Sequence, residues 1–116
     1  MNNYHAGHFA EKVVLWFLRL KGYRLVALNH QTGKGTKAGE IDIIVRKGQT
    51  IIFVEVKKRK DCATAAYSVL LPQQQRIRRA AEVFVARHRE YHDFNMRFDV
   101  VLVGKCWQIL HIQNAF

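Results

Sequence analysis

Apolar residues along this chain follow two periods, and the switches between them predict its elements. Over residues 5–21, Phe9, Val13, Trp16, Phe17 and Leu20 recur every three or four positions. That spacing predicts a helix with these side chains as its apolar face. Val14, Leu15 and Leu18 carry apolar character around the side, so the helix is expected to be well buried. Gly22 stands where a glycine ends a helix, and residues 23–29 then have β character. Residues 40–46 and 50–57 are short, almost continuous runs of Ile, Val and Phe, as strands buried on both faces are. Lys47-Gly48 between them predicts a tight hairpin turn. Pro72 suits the first turn of a second helix over residues 72–89. Its predicted buried stripe is Ile77, Ala80, Ala81 and Phe84, with Arg76 and Arg79 turned away from it. Residues 97–103 and 106–112 predict two last strands, joined at Gly104-Lys105. The order α-β-β-β-α-β-β describes an α/β or α+β sheet with helices packed on it.

Carboxylates interrupt the apolar hairpin. With the turn centred between Lys47 and Gly48, Ile44 faces Ile51, Asp42 faces Phe53 and Glu40 faces Glu55. Cross-strand partners share a sheet face, as do residues two apart on one strand. Glu40, Asp42, Glu55 and Lys57 then project from one face, and Asp42 and Glu55 are diagonal neighbours within reach of a common ion. Leaving such acids buried and unpaired costs roughly several kcal/mol. A divalent cation compensates directly, since Mg²⁺ is held by one or two carboxylates plus waters and phosphate oxygens. Lys57 adds a positive charge beside them. On spacing alone two readings stay open: a metal site, or a half-exposed hairpin whose charges face water. Glu11 aligns on the first helix with Val14, Leu15 and Leu18, so it is either a surface acid or a further carboxylate of a site.

Composition and charge narrow the partners. The 116 residues fit one domain, residues 1–116, and 49% are apolar, enough for one modest core. Nineteen Lys and Arg against nine Asp and Glu give a net charge of +10. A surplus of that size in a small domain points to a polyanion, nucleic acid first and an anionic membrane surface second. No apolar run approaches the ~18 residues of a membrane span, and the first residues lack a signal peptide's basic start. A cytoplasmic protein without a membrane partner is the expectation. Cys62 and Cys106 lack metal-type spacing and read as reduced thiols. The glycine-rich stretch 33–39 predicts a basic loop and lacks the Ser/Thr and helix of a P-loop. His88 and His92 are spaced for Zn²⁺, but no Cys or acidic pattern completes the motif. Ser68 has no His/Asp constellation, and Tyr67 reads as an ordinary loop aromatic.

Gly39-Glu40-Ile41-Asp42-Ile43-Ile44, followed by Ile52-Phe53-Val54-Glu55-Val56-Lys57-Lys58-Arg59, resembles the paired acidic strands of the YraN-like family. Those small bacterial proteins are placed by similarity in the PD-(D/E)XK nuclease fold, close to archaeal Holliday-junction resolvases. The likeness covers nearly the whole chain, including Ala10-Glu11, Lys21-Gly22-Tyr23, Asn29, Gln73-Gln74 and Arg97-Phe98-Asp99-Val100-Val101. It implies a restriction-endonuclease-like mixed central sheet flanked by helices. It implies that Asp42 and Glu55 match the metal-binding acids, Lys57 the catalytic lysine, and Glu11 the helix-borne acid of resolvase-like sites. Two features depart from the family pattern. The loop 31–38 is longer, and the second helix opens with Gln73-Gln74 where the family often has Lys-Gln, so Gln73 keeps polarity and loses a charge.

The resemblance implies a Mg²⁺- or Mn²⁺-dependent endonuclease acting on DNA, branched DNA among its candidate substrates. Asp42 and Glu55 would hold the ion, with the Val56 carbonyl and Glu11 as further ligands. Lys58, Arg59, Lys60, Gln73, Arg76, Arg78 and Arg79 would follow the flanking phosphates. A homodimer is implied by the resolvases alone. Asp99 matches the family motif, and satisfying backbone groups at a strand start would explain it equally. The alternatives are a non-catalytic nucleic-acid-binding module on the same fold, which Gln73 favours, and a protein-interaction factor that offers its basic face to an acidic partner.

Overall fold

The computed structural model describes residues 3–31, 40–58, 71–104 and 108–116. Arg59, Lys60, Tyr67 and Ser68, both cysteines and the glycine-rich stretch lie outside the described residues. Helix α1 spans Asn3–Leu20. Strands β1 (Arg24–Gln31), β2 (Glu40–Lys47) and β3 (Thr50–Lys58) follow. Helix α2 spans Leu71–Arg87, a short 3₁₀ turn covers Arg89–Tyr91, and β4 (Asn95–Val103) and β5 (Ile109–Ile112) complete the order. The strands form one five-stranded sheet in the order β1-β2-β3-β4-β5. The β3–β4 pair is parallel and the other pairs are antiparallel. A parallel pair needs a crossover, and the segment containing α2 provides it. The result is a mixed α/β fold with a sheet flanked by two helices.

The apolar strands are central because both of their faces are covered. Ile43, Val45, Ile52, Val54, Val101 and Val103 pack under α1 through Ala10, Val14, Leu15 and Leu18. Ile44, Ile51, Phe53, Phe98, Val100 and Leu102 pack under α2 through Ile77, Ala80, Ala81 and Phe84. The stripe expected for the second helix is the one found buried.

Two expectations need correction. The buried face of α1 is the row Ala10, Val14, Leu15 and Leu18, not the row through Phe9, Trp16 and Leu20. Those three are 55%, 63% and 85% exposed. The helix is apolar on more than one side, so periodicity alone could not choose; the small Ala10 and the aliphatic Val14 and Leu18 fit closely against a sheet of Ile and Val. The hairpin register also differs. Gly48 and Gln49 form the turn, with Lys47 paired to Thr50, Ile44 to Phe53 and Ile43 to Val54. Gly48 has φ 59, the left-handed conformation that a two-residue hairpin turn requires at its first central position. The shift from the expected pairing is two residues, and Asp42 and Glu55 still meet through a side-chain hydrogen bond, now at directly corresponding positions.

Candidate active site

The β2–β3 ladder ends at Ile43 and Val54. The next residues on the two strands are Asp42 and Glu55. Beyond this point β3 stays paired to β4 as far as Lys58, while its other side has no strand partner among the described residues. A buried N–H left there must find another acceptor. The Val56 N–H donates to Asp42 Oδ2 at 2.9 Å, so the Asp42 side chain takes over where the backbone ladder stops. The resemblance assigned Val56 through its carbonyl; what the structure ties to the site is its amide.

Glu55 is buried, with 9% of its surface exposed. Its carboxyl is pushed up to about 9 by burial first, then by the hydrogen bond and negative charge of Asp42, with Lys57 and Gln73 opposing. Burial and the neighbouring Asp42 thus favour the protonated form of Glu55. Gln73 Nε2, from the first turns of α2, donates to Glu55 Oε2 at 3.0 Å. A cavity of about 160 Å³ opens beside these groups, lined by Glu40, Glu55, Gln73, Arg76 and Ile77. Lys57 follows Glu55 by two residues on the same face of β3 and is half-buried.

Glu11 comes from α1, next to the buried row of that helix. Its carboxyl is raised to about 7 by burial first, then by the charges of Asp42 and Glu40. Asn29, on β1, joins the two outer acids. With its amide nitrogen turned toward them, it donates to Glu40 Oε1 at 3.0 Å and approaches Glu11 Oε1 and Oε2 at 2.7 and 2.9 Å. Sequence reasoning noted Asn29 only as part of the resemblance. Its φ of 49 inside a strand marks it, and that signal is not visible in one sequence.

Among the described residues, no three His, Cys, Asp or Glu side chains close into a ready-made ion cage. The arrangement is a carboxylate pair, Asp42 and Glu55, with Glu11 and Glu40 beside it. That set suits an ion that takes one or two protein carboxylates and completes its shell with water and phosphate oxygens, as Mg²⁺ does.

The model of an uncharacterised protein family, UPF0102, matches residues 10–103, which include every acid of the site. The chain belongs to UPF0102. A UPF0102 protein of Paramagnetospirillum magneticum is 42% identical over 95% of this chain and 85% of its own length. UPF0102 proteins of Mesorhizobium japonicum and Nitrobacter winogradskyi are 38% and 41% identical, over 97% of this chain and 87% and 92% of theirs. The matched UPF0102 region runs from α1 through β4, so it spans the elements that carry Glu11, Asn29, Asp42, Glu55 and Gln73.

The other candidates of this UPF0102 chain flank the site or lie away from it. Arg76 lines the cavity, and Arg79 and Lys58 are exposed. The Arg78 guanidinium lies over Phe98 and Phe116, 4.8 and 5.6 Å from the ring centroids, a packing role against the C-terminal residues. His88 Nδ1 donates to the Phe84 carbonyl at 2.7 Å. Asp99 is fully buried and takes hydrogen bonds from Arg97 Nε and Nη2, both at 2.8 Å, and from the Asn114 N–H at 3.0 Å. His111 Nε2 lies 2.7 Å from its Oδ2. Burial pushes the Asp99 carboxyl up, but His111, Arg97 and Asn114 outweigh it and hold the group below its ordinary range. Asp99 therefore fastens the C-terminal segment to β4. Among the described residues no helix is long and apolar enough to cross a membrane.

Proposed function

We propose that this protein is a divalent-cation-dependent endonuclease of the PD-(D/E)XK type, cleaving phosphodiester bonds in DNA. The observation that supports this most is the carboxylate pair at the end of the β2–β3 ladder: Asp42 and Glu55 face one another, Lys57 follows on the same face, and Glu11 approaches from α1. A cation would stabilise a buried carboxyl such as Glu55, which burial and Asp42 bias toward its protonated form, by displacing that proton.

Asp42 and Glu55 would hold Mg²⁺ or Mn²⁺, with Glu11 close enough to influence the same ion. The bound ion supplies positive charge against the scissile phosphate. Lys57 stabilises negative charge as it develops on the phosphoryl oxygens and orients the attacking water. Gln73 holds the Glu55 carboxylate in place from α2. Arg76, at the cavity wall, and Arg79 and Lys58 beyond it neutralise neighbouring phosphates, with Arg59 and Lys60 continuing the same basic run. The charge of +10 fits this division, since phosphate neutralisation supplies affinity and the acids supply chemistry.

The test is incubation of the purified protein with Mg²⁺ or Mn²⁺ on duplex, single-stranded and four-way-junction DNA. Metal-dependent cleavage lost in Glu55→Ala is the expected result. Cleavage retained in Glu55→Ala overturns the assignment. A second reading is a non-catalytic nucleic-acid-binding module on the same fold. It is favoured by Gln73 bonding to Glu55 where the resemblance has a lysine, which leaves that position without a cation. It predicts salt-sensitive DNA binding with no turnover.

A further inference from the structure

We propose that Asn29 is the positioning residue of this site: its side-chain amide ties Glu11 of α1 to Glu40 of β2 and so sets where Glu11 stands relative to Asp42. This deepens the proposed function and rests on reading the site as a divalent-cation centre.

The backbone makes the first argument. Asn29 has φ 49 within a strand, in the left-handed region that costs most residues about 1–2 kcal/mol. It lies where the strand turns over: Ile43 packs in the core under α1 and Ile41, two residues along, in the core under α2, and Asn29 and Asp42 between them are left out of the ladder. Leu28 pairs with Ile43 and His30 with Ile41, and the register shift of the β1–β2 ladder lies elsewhere, between Leu25 and Ala27. The turn at Asn29 has a visible consequence: it directs a short amide side chain toward the carboxylates. Asparagine is the residue best suited to do both, since it tolerates the left-handed region and carries two N–H donors.

Electrostatics makes the second. Glu11, Glu40 and Asp42 are close enough for the latter two to raise the Glu11 carboxyl, so unassisted they push one another apart. Glu11 also stands on a different element from Asp42 and Glu55, and strand geometry cannot fix it. An arginine or lysine there would hold the acids together but would cancel the negative charge that attracts a cation. The neutral amide makes contacts of 2.7, 2.9 and 3.0 Å and leaves that charge intact. Groups that orient metal-site carboxylates in this way contribute about 10- to 100-fold to metal affinity.

The experiment separates backbone from side chain and positioning from metal binding. Asn29→Gly accepts the left-handed backbone and removes the amide. The ¹³Cδ chemical shift of Glu11 is read by NMR in the metal-free full-length protein, and Mn²⁺ affinity by calorimetry, for wild type, Asn29→Gly, Glu11→Gln and the double variant. The expected result is a displaced Glu11 signal in Asn29→Gly and Mn²⁺ affinity lower by about tenfold. In the Glu11→Gln background the same glycine substitution should add little, because its effect runs through Glu11. An unmoved Glu11 signal in Asn29→Gly overturns the proposal whatever the calorimetry reads. So does a full affinity loss from Asn29→Gly that persists in the Glu11→Gln background. A wild type that binds no Mn²⁺ while the Glu11 signal still moves supports the tie and overturns the cation-centre reading instead.

Discussion

The Val56 N–H donates to Asp42 Oδ2 at 2.9 Å, across the point where β2 and β3 cease to pair. One oxygen of Asp42 is thus committed to the fold, and the same carboxyl shares a hydrogen bond with Glu55. Asp42→Asn keeps an acceptor for Val56 and loses the charge, so its stability should stay within about 0.5–1 kcal/mol of wild type while Mn²⁺ binding and cleavage disappear. Asp42→Ala strands the Val56 N–H and should cost about 1–3 kcal/mol in addition. Urea unfolding and calorimetry on the two variants check this; equal stability losses would sink the division of labour.

The raised carboxyls give the metal-free protein an inverted pH dependence. Glu11 at about 7 and Glu55 at about 9 hold protons that an unfolded glutamate, at 4.5, has released. From about pH 4.5 to about pH 9 the folded state binds more protons than the unfolded state, so this contribution to stability is fully present below 4.5 and is lost as pH rises through 7 and then 9. Urea midpoints in EDTA should fall over that window, most of the fall should vanish in Glu55→Gln, and saturating Mg²⁺ should flatten it. A midpoint that rises between pH 6 and 9 in EDTA would count against both assignments.

Asp99 carries the opposite sign. Its folded carboxyl lies below the ordinary value, so its contribution is present at neutral pH and is lost as the solution is acidified through that lowered value. Asp99→Ala leaves Arg97 without its two bonds and the Asn114 N–H without an acceptor. The expected loss is about 3–5 kcal/mol, with early release of the C-terminal residues in hydrogen exchange. An Asp99→Ala variant with wild-type stability would show that the segment is held by Phe116 and Arg78 instead.

The two rows of α1 predict opposite outcomes for similar-looking changes. Leu18 is fully buried, and Leu18→Ala should cost about 2–5 kcal/mol. Trp16 is 63% exposed, and Trp16→Ser should change the stability of the isolated chain by less than about 0.5 kcal/mol. Thermal melts distinguish them, and a large loss from Trp16→Ser would show that its face is covered in solution.

The legible parts of the molecule were those set by neighbours in the chain. The α2 stripe from Ile77 to Phe84 and the common face of Glu55 and Lys57 on β3 depend on periods of 3.6 and 2, which a two-residue shift of register leaves unchanged; alternation fails at Asp42, where Ile41 and Ile43 go to opposite cores. What could not be read depends on distant partners. Leu18 rather than Trp16 is buried because of the sheet beneath α1, which the helix sequence does not encode. Asn29 meets Glu11 and Glu40 only after three elements have been packed together. The contact of the exposed Arg78 guanidinium with Phe98 and Phe116 arises only once strand β4 and the C-terminus are in place.

The parallel pairing of β3 with β4 has a consequence in time. Thr50 pairs with Asn95, so roughly 45 residues of chain must be looped before that ladder can start, whereas the β2–β3 hairpin closes through Gly48 and Gln49 alone. Folding is expected to bring Asp42 beside Glu55 early and to add β4 along the edge of β3 last. Pulse-labelled exchange during refolding should show amides of β2 protected before those of β4. The two acids would then meet in water and be dried out afterwards, so millimolar Mg²⁺ present during refolding should accelerate the final step by shielding them as α2 packs over Glu55.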